Sequence, residues 1–259
     1  MVQRLRVRYA KRGRLRFTSH RDISRALERA VRRADVPVAF SAGFSPHPKI
    51  SYVGGAAPTG VASEAEYLEI SVTRECDPEW LRAALDASLP PGLDVLDVVE
   101  AGPASLADQM ECSAWELRLP EADLALTGVA VEKFVATDHV EVERLTKKGI
   151  RRFDAREAVL SLAAFEGKGT TAGQASSRPC VILRMVVRHA TPAVRPDDVL
   201  TGLRLVADFA PPVPPEVTRL AQGPLDVRTG EPADPFGLDR DITRGGETEP
   251  VGRRVGGDI

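Results

Sequence analysis

Cysteine is scarce in this chain: Cys76, Cys112 and Cys180 are the only three in 259 residues. An odd, scattered set argues against a disulfide framework and for reduced thiols. It also lacks the close spacing of thiolates that an iron–sulfur cluster needs. No apolar run approaches the ~20 residues of a membrane helix. The basic opening MVQRLRVRYAKRGRLRF leads into no apolar segment of the signal-peptide kind. A cytoplasmic protein with no membrane contact is therefore expected. Aromatic residues make up only 5% of the chain, so its core must be built mostly of Leu, Val and Ala. Reaction signatures are missing as well. There is no G-x-x-x-x-G-K-[ST] phosphate loop, no G-x-S-x-G elbow and no H-E-x-x-H metal pair. These gaps favour a binding or accessory protein with no cofactor of its own over a self-sufficient enzyme.

What the chain does have is unevenly placed charge. Net charge is only −2, yet residues 1–52 hold thirteen Lys and Arg against three acids, Asp22, Glu28 and Asp35. The rest of the chain is correspondingly acidic. A basic head on an acidic body makes a directed electrostatic surface, and the usual partner of such a surface is a polyanion. An acidic protein partner, or the body of the same chain, would satisfy it equally.

Residues 3–9 alternate, with Leu5, Val7 and Tyr9 on one side and Arg4, Arg6 and Arg8 on the other. This predicts a strand with a cationic outer face. Ser19 and Asp22 form a helix-start pattern. In the helix that follows, Ile23, Ala26, Leu27, Ala30, Val31 and Ala34 share a buried face, while Arg21, Arg25, Arg29, Arg32 and Arg33 line the adjoining one. Val36-Pro37 stops it. Short strands follow near 50–53 and 64–72. A second helix starts at Asp77-Pro78, and a last strand covers about 93–99. The order β-α-β-β-α-β over residues 1–100 is ferredoxin-like. A fainter repeat occupies 112–210, with strands at 113–119 and 139–145 and a helix around 129–136. A hairpin-like pair at 156–166 and 180–188 then leads to a helix near 197–206. The expected fold is thus α+β, two tandem ferredoxin-like halves. Residues 167–178, rich in Gly, Thr and Ser, are expected as a flexible loop. Residues 211–259 are expected as a Pro-rich segment followed by a disordered tail.

Candidate nucleic-acid contacts are Arg12, Arg14, Arg21, Arg25, Arg29, Arg32 and Arg33, whose planar guanidinium groups suit phosphate oxygens. The loop 41–49, SAGFSPHPK, is broken by Gly43, Pro46 and Pro48 and presents Phe44, His47 and Lys49. An aromatic, an imidazole and an ammonium together can stack a base and hold its phosphate. The same loop can equally be a structural turn with Phe44 tucked inward. His20 and His47 are the candidates for acid–base catalysis on a phosphodiester, although no carboxylate partner is evident for either. Two ligands are too few for a metal site at His20 and Asp22. The glycine-rich GGAAPTG at 54–60 suits either a phosphate cradle or tight turns. Lys147, Lys148, Arg151 and Arg152 surround Gly149 as a second basic cluster at an expected hairpin tip.

The run RYAKRGRLRFTSHRDISRALERAVRRADVPVAFSAGFSPHPKISY, followed by PTGVASEAEYLEI, resembles the radical-SAM-associated domain family of unknown function. That domain is fused in many bacteria to the C-terminus of a cobalamin-binding radical-SAM protein and elsewhere stands alone. The likeness is dense over residues 3–72 and continues more loosely through 147–154 and 195–200. The family's hallmark positions fall here on Lys11, Gly13, Ser19, His20, Asp22, Arg29, Arg32, Arg33, Gly43, Phe44, Pro46, His47, Pro48, Gly60, Ser63 and Glu66. The resemblance supplies no catalytic residues. It implies a radical-SAM protein as partner, with this chain positioning an RNA substrate (tRNA or rRNA) for modification. Two other functions fit the residues. One is a metal-independent RNA-processing enzyme using His20 and His47, and the other is a protein-interaction module with no nucleic-acid ligand.

Overall fold

The computed structural model describes residues 2–147, 149–171 and 174–245, with the side chains of 168–178 and 242–245 excepted. In the N-terminal half, β1 (Gln3–Lys11) leads through a short 3-10 turn to α1 (His20–Arg33). Next come β2 (Ile50–Val53), β3 (Ala62–Val72), α2 (Pro78–Ser88) and β4 (Leu93–Glu100). Ser19 caps α1 by accepting from the Asp22 N–H at 3.3 Å, as its sequence predicts. Asp77 caps α2 in the same way, accepting from Glu79 and Trp80. Ile23, Leu27, Ala30 and Val31 are buried on α1 against Leu5, Val7, Leu68 and Ile70 of the sheet. Burying each of the larger side chains contributes about 1.5–3 kcal/mol, so Leu27→Ala would cost about 2–5 kcal/mol.

The second half runs β5 (Cys112–Pro120), α3 (Leu124–Ala136), β6 (Glu141–Thr146), β7 (Gly149–Asp154), β8 (Val159–Thr171), β9 (Gln174–Arg188), α4 (Pro196–Ala207) and β10 (Glu216–Gly223). Helix α3 begins five residues before the expected helix, because Asp123 caps it by accepting from the Leu126 N–H at 2.8 Å. Trp115, Leu117 and Leu119 of β5 share a core with Phe134 of α3 and Leu203 of α4. The result, among the described residues, is a mixed α/β protein with five α-helices and a mostly antiparallel main sheet. That sheet has the order β4-β1-β3-β10-β5-β9-β8, and β2 pairs the other end of β3. The two halves meet where β10 lies parallel to β3, with Thr218 opposite Ala62 and Arg219 opposite Ser63. Strands β6 and β7 form a separate hairpin.

Three expectations are corrected. The stretch 167–178 is not a loop, because β8 and β9 continue through it. Gly169 pairs with Ser176, Thr170 with Ala175 and Thr171 with Gln174, and only residues 172 and 173 between them lie outside the described residues. Small and β-branched residues carry a hairpin ladder as well as a loop. Residues 211–245 are not a tail either. After the prolines, β10 enters the centre of the sheet, β11 (Leu225–Asp226) and β12 (Glu231–Pro232) pair, and α5 (Gly237–Gly245) docks. Phe236 anchors that segment, fully buried edge-on to Tyr67 with ring centroids 5.4 Å apart. The expected disorder of the final residues, 246–259, falls outside the described residues. The third correction concerns β1. Its arginine face is covered rather than solvated, because α5 and the 101–111 segment lie over it. Arg6 is 1% exposed and pairs with Asp239 of α5 at 2.6 Å and Glu69 at 2.9 Å.

Candidate functional site

Much of the charge on β1 is consumed internally. Arg8 donates to the Glu64 carbonyl at 2.8 Å, and Arg4 reaches the Gly102 carbonyl. Lys11 is buried and donates to the carbonyls of Ala57 and Pro58 at 3.0 and 3.1 Å. Burial pulls its ammonium below the ordinary lysine range. Arg12, expected as a nucleic-acid contact, is clasped by Glu64 and Asp94, whose hydrogen bonds push its pKa further up. A guanidinium already holding two carboxylates has little left to offer a phosphate.

The remaining cations do face outward. Arg14, Arg21, Arg25, Arg29, Arg32 and Arg33 are all exposed. The helix contributes five of them along one side, an arrangement that follows from the 100° step between residues. Their engagements are light: Arg25 lies 3.8 Å from Asp22, and Arg33 donates to the Ser88 carbonyl at 2.9 Å. Beside the start of α1, the Arg16 guanidinium stacks 4.9 Å over the ring of Phe17, which is itself exposed.

The 41–49 loop is pinned at its base and open at its tip. Lys49 N–H donates to the Ala39 carbonyl at 2.7 Å, and Ser41 N–H to the His47 carbonyl at 2.9 Å. The His47 N–H returns a bond to Ser41 Oγ at 3.0 Å. Gly43 sits at φ +133, a conformation open to glycine and costly for other residues. Phe44 projects beyond, 109% exposed relative to a free residue. The alternative of a core-directed Phe44 is thereby overturned. His47 and Lys49 are exposed beside it. The ring of His20 meets Tyr52 of β2 edge-on, centroids 4.8 Å apart, which ties the start of α1 to the strand leaving the loop. Among the described residues neither imidazole, His20 or His47, forms a hydrogen bond to a carboxylate. In the second basic cluster Lys147 and Arg151 are exposed at the β6–β7 turn and Arg152 pairs with Glu143, while Lys148 lies outside the described residues.

A second constellation sits at the joint between the halves, and its central residue, Arg219, belongs to no sequence motif. Arg219 of β10 is 3% exposed. It donates to the Gly55 carbonyl at 2.6 Å, bonds Glu66 and reaches Ser63 Oγ at 3.4 Å, while lying 5.5 Å from the Trp115 ring centroid. The glycine-rich 54–60 loop therefore turns carbonyls toward Lys11 and Arg219, the opposite polarity to a phosphate cradle. Lys11, Ser63 and Glu66, three positions the family resemblance marks, thus converge on one buried network. Glu66 and burial together drive the Tyr9 hydroxyl well above its usual pKa, burial being the larger cause.

Against this network opens a pocket of about 280 Å³, lined by Ala56, Pro58, Trp115, Val187, Val194 and Arg195 among others, with Ser113 and His189 on its wall. The Ser113 hydroxyl is 2.6 Å from His189 Nε2, and His189 Nδ1 is 2.8 Å from the Met110 carbonyl. A carbonyl only accepts, so Nδ1 carries the proton and Nε2 is left to accept from Ser113. Burial lowers the His189 pKa, the Met110 carbonyl opposes that, and the charge of Arg219 adds to the lowering. The imidazole is thus held neutral. These two residues lie 76 positions apart, a separation no local motif bridges. Among the described residues no group of three His, Cys, Asp or Glu side chains is placed to hold a metal, and no helix is long and apolar enough to cross a membrane.

The architecture is that of a mixed α/β protein with an outward cationic surface on its first half and a pocket at the joint. The chain belongs to the bacterial family described as "Uncharacterized protein conserved in bacteria (DUF2344)", whose model matches residues 4–196. Arg219 lies beyond the matched residues. No curated protein matches the chain. Among solved structures, a Rhodococcus jostii RHA1 DypB variant in complex with heme aligns at 14% identity, covering 78% of this chain and 84% of that one, with a TM-score of 0.19. A second crystal form of DyPB from Rhodococcus jostii RHA1 aligns at 13% identity, 78% and 83% coverage and a TM-score of 0.17. Superpositions this loose transfer neither fold nor ligand.

Proposed function

We propose that the protein is a cytoplasmic RNA-binding accessory protein that holds single-stranded or loop RNA on its N-terminal surface. The observation that carries this is Phe44, an aromatic side chain wholly in solvent on a pinned loop, in a chain with few aromatics to spare. A ring held clear of the core on a pinned loop leaves its face open for a base to stack on. A base stacked on such a ring contributes ~1–3 kcal/mol, and an exposed arginine row tracks the backbone beside it. Arg14, Arg21, Arg25, Arg29, Arg32 and Arg33 supply that row, with His47 and Lys49 beside the ring. Arg12 drops out of the contact set because its carboxylate partners occupy it.

The partner in this reading is a radical-SAM protein, on the strength of the family resemblance alone. A surface that binds but offers His20 and His47 no carboxylate partner suits a chain that leaves chemistry to another protein. The reading also takes both halves as ferredoxin-like. Two features support this. The first half has strand order β4-β1-β3-β2, and the second, with β6–β7 regarded as an insertion, repeats it as β10-β5-β9-β8.

Fluorescence anisotropy on labelled RNA, across a salt series, tests the proposal. Phe44→Ala should weaken binding ~5- to 150-fold with an unchanged salt slope. Arg25→Gln, Arg29→Gln and Arg32→Gln combined should flatten the slope by about 2, roughly 0.7 per lost phosphate contact. Absence of RNA binding at low salt, or variants that bind like the parent, would sink the reading.

A further inference from the structure

We propose that the pocket at the joint is an esterase-type acyl-transfer site, with Ser113 as nucleophile and His189 as base, acting on small carboxylic esters. The three parts of an activated serine are present. A hydroxyl lies within hydrogen-bond reach of an unprotonated imidazole nitrogen at 2.6 Å, and a third group, the Met110 carbonyl, fixes the ring's tautomer from 2.8 Å. The backbone secures the base further, because the His189 N–H donates to the Glu111 carbonyl at 2.7 Å. Ser113 itself is held in β5 between its neighbours Val187 of β9 and Gln222 of β10. The nucleophile thus stands near the start of β5, and the base is the first residue beyond the end of its partner β9, held by its backbone bond to Glu111.

The walls define the substrate. Pro58, Trp115, Val187 and Val194 give an apolar lining, and about 280 Å³ is at the small end of ligand sites. Arg219 is spent on Glu66, so Arg195 is the cation that faces the pocket, and no carboxylate lines it. Its positive charge favours the negative charge that develops on the carbonyl oxygen during acyl transfer.

The reaction balances with water as the second reactant. Ser113 Oγ attacks the carbonyl carbon and its proton passes to His189 Nε2. The carbon–alkoxy bond breaks, and the alcohol leaves with the proton from His189. Water then attacks the acyl-serine, giving its proton to His189, and the acid departs as Oγ regains a proton. This activity is independent of the proposed RNA binding, which uses a different surface.

The test is labelling of the full chain with an alkyl fluorophosphonate, read by peptide mass spectrometry. In that reaction Oγ bonds phosphorus, fluoride leaves and His189 takes the proton. The expected result is a single adduct on Ser113, with labelling slowed about 100-fold or more in His189→Ala. Because Ser113→Ala removes a strand-end hydrogen bond, the site of the adduct is read in the unmodified protein. Hydrolysis of p-nitrophenyl butyrate with an initial burst of nitrophenolate gives a second readout. No adduct under conditions that saturate a known serine esterase, an adduct on a different serine, or an unchanged rate in His189→Ala would each overturn the proposal.

Discussion

Removing the carboxylate of Asp239 should unseat the C-terminal helix and destabilise the whole fold. Arg6 and Asp239 are each about 1% exposed, and Arg6 Nη1 sits 2.6 Å from both carboxylate oxygens. Asp239 Oδ1 also accepts from the Gly102 N–H at 2.9 Å. Breaking a buried ion pair from one side costs about 3–5 kcal/mol, because the other charge is left uncompensated. Here Glu69 still holds Arg6 Nε at 2.9 Å, and the Ala104 carbonyl still accepts from it, which favours the lower end. The lost acceptor at Gly102 adds about 1 kcal/mol. Asp239→Ala is therefore expected to cost about 3–4 kcal/mol, or a fall in Tm of about 6–16 °C in a chain of this size. Differential scanning calorimetry measures it, alongside a double variant, Arg6→Met with Asp239→Leu. Replacing both charges removes the stranded cation but also takes Arg6 from Glu69, so the double variant should recover only part of the loss. A single variant melting within about 2 °C of the parent would refute the claim that α5 is an energetic part of the fold.

Gly202 on α4 is a sharper test of packing, because two effects oppose each other there. A Cβ at this position would lie 2.6 Å from Phe134 Cε2 and 3.1 Å from Val140 Cγ1. Helix propensity alone would make Gly202→Ala stabilising by about 1 kcal/mol, while overpacking costs about 1–3 kcal/mol. The expected outcome in chemical denaturation is a net loss, and a raised midpoint would show the α3–α4 contact to be loose. The exposed pair of His139 and Asp154, 2.9 Å apart, gives a pH test. The hydrogen bond from Asp154 raises the His139 pKa above its ordinary value. The pair's contribution is therefore full below the unfolded-state pKa of about 6.5 and is lost as pH rises through the folded value. An NMR titration should place the His139 midpoint above that of an ordinary histidine, and Asp154→Asn should bring it down. An unshifted midpoint in the parent would count against the contact.

The parts of this fold that could be read from sequence are those whose cause is local. Helix α1 declares itself in fourteen consecutive residues, because its cap, its apolar spacing and its arginine row all repeat within a few turns. The alternation in β1 is equally plain. What alternation cannot state is what lies over each face. Arg4, Arg6 and Arg8 read as a solvated surface, yet the cover comes from residues 101–111 and from Asp239, 233 positions beyond Arg6. Strand β10 was hidden for a related reason. Its partners, β3 and β5, lie far upstream, and the prolines just before Glu216 mimic the composition of a tail.

The same distinction separates the two candidate sites. The exposed surface is built from neighbours in sequence: the α1 arginines, and a loop whose Ser41 and His47 close on each other across six positions. Composition and breakers suffice to find such a site, although only coordinates show that Arg12 is spent on Glu64 and Asp94 while Phe44 is free. The pocket at the joint draws on loop 54–58, on Ser113, on His189 and on Arg219, so it exists only once β10 has brought the halves together. Its strongest local cue, the glycine-rich 54–60 segment, suits tight turns or a phosphate cradle, and its carbonyls face Lys11 and Arg219. A chain that conceals a buried charge network, a neutral histidine and its serine at the seam of two halves has a reason to keep that seam intact. The proposed binding on the N-terminal surface would need only one half, whereas the proposed acyl transfer at the joint would need both.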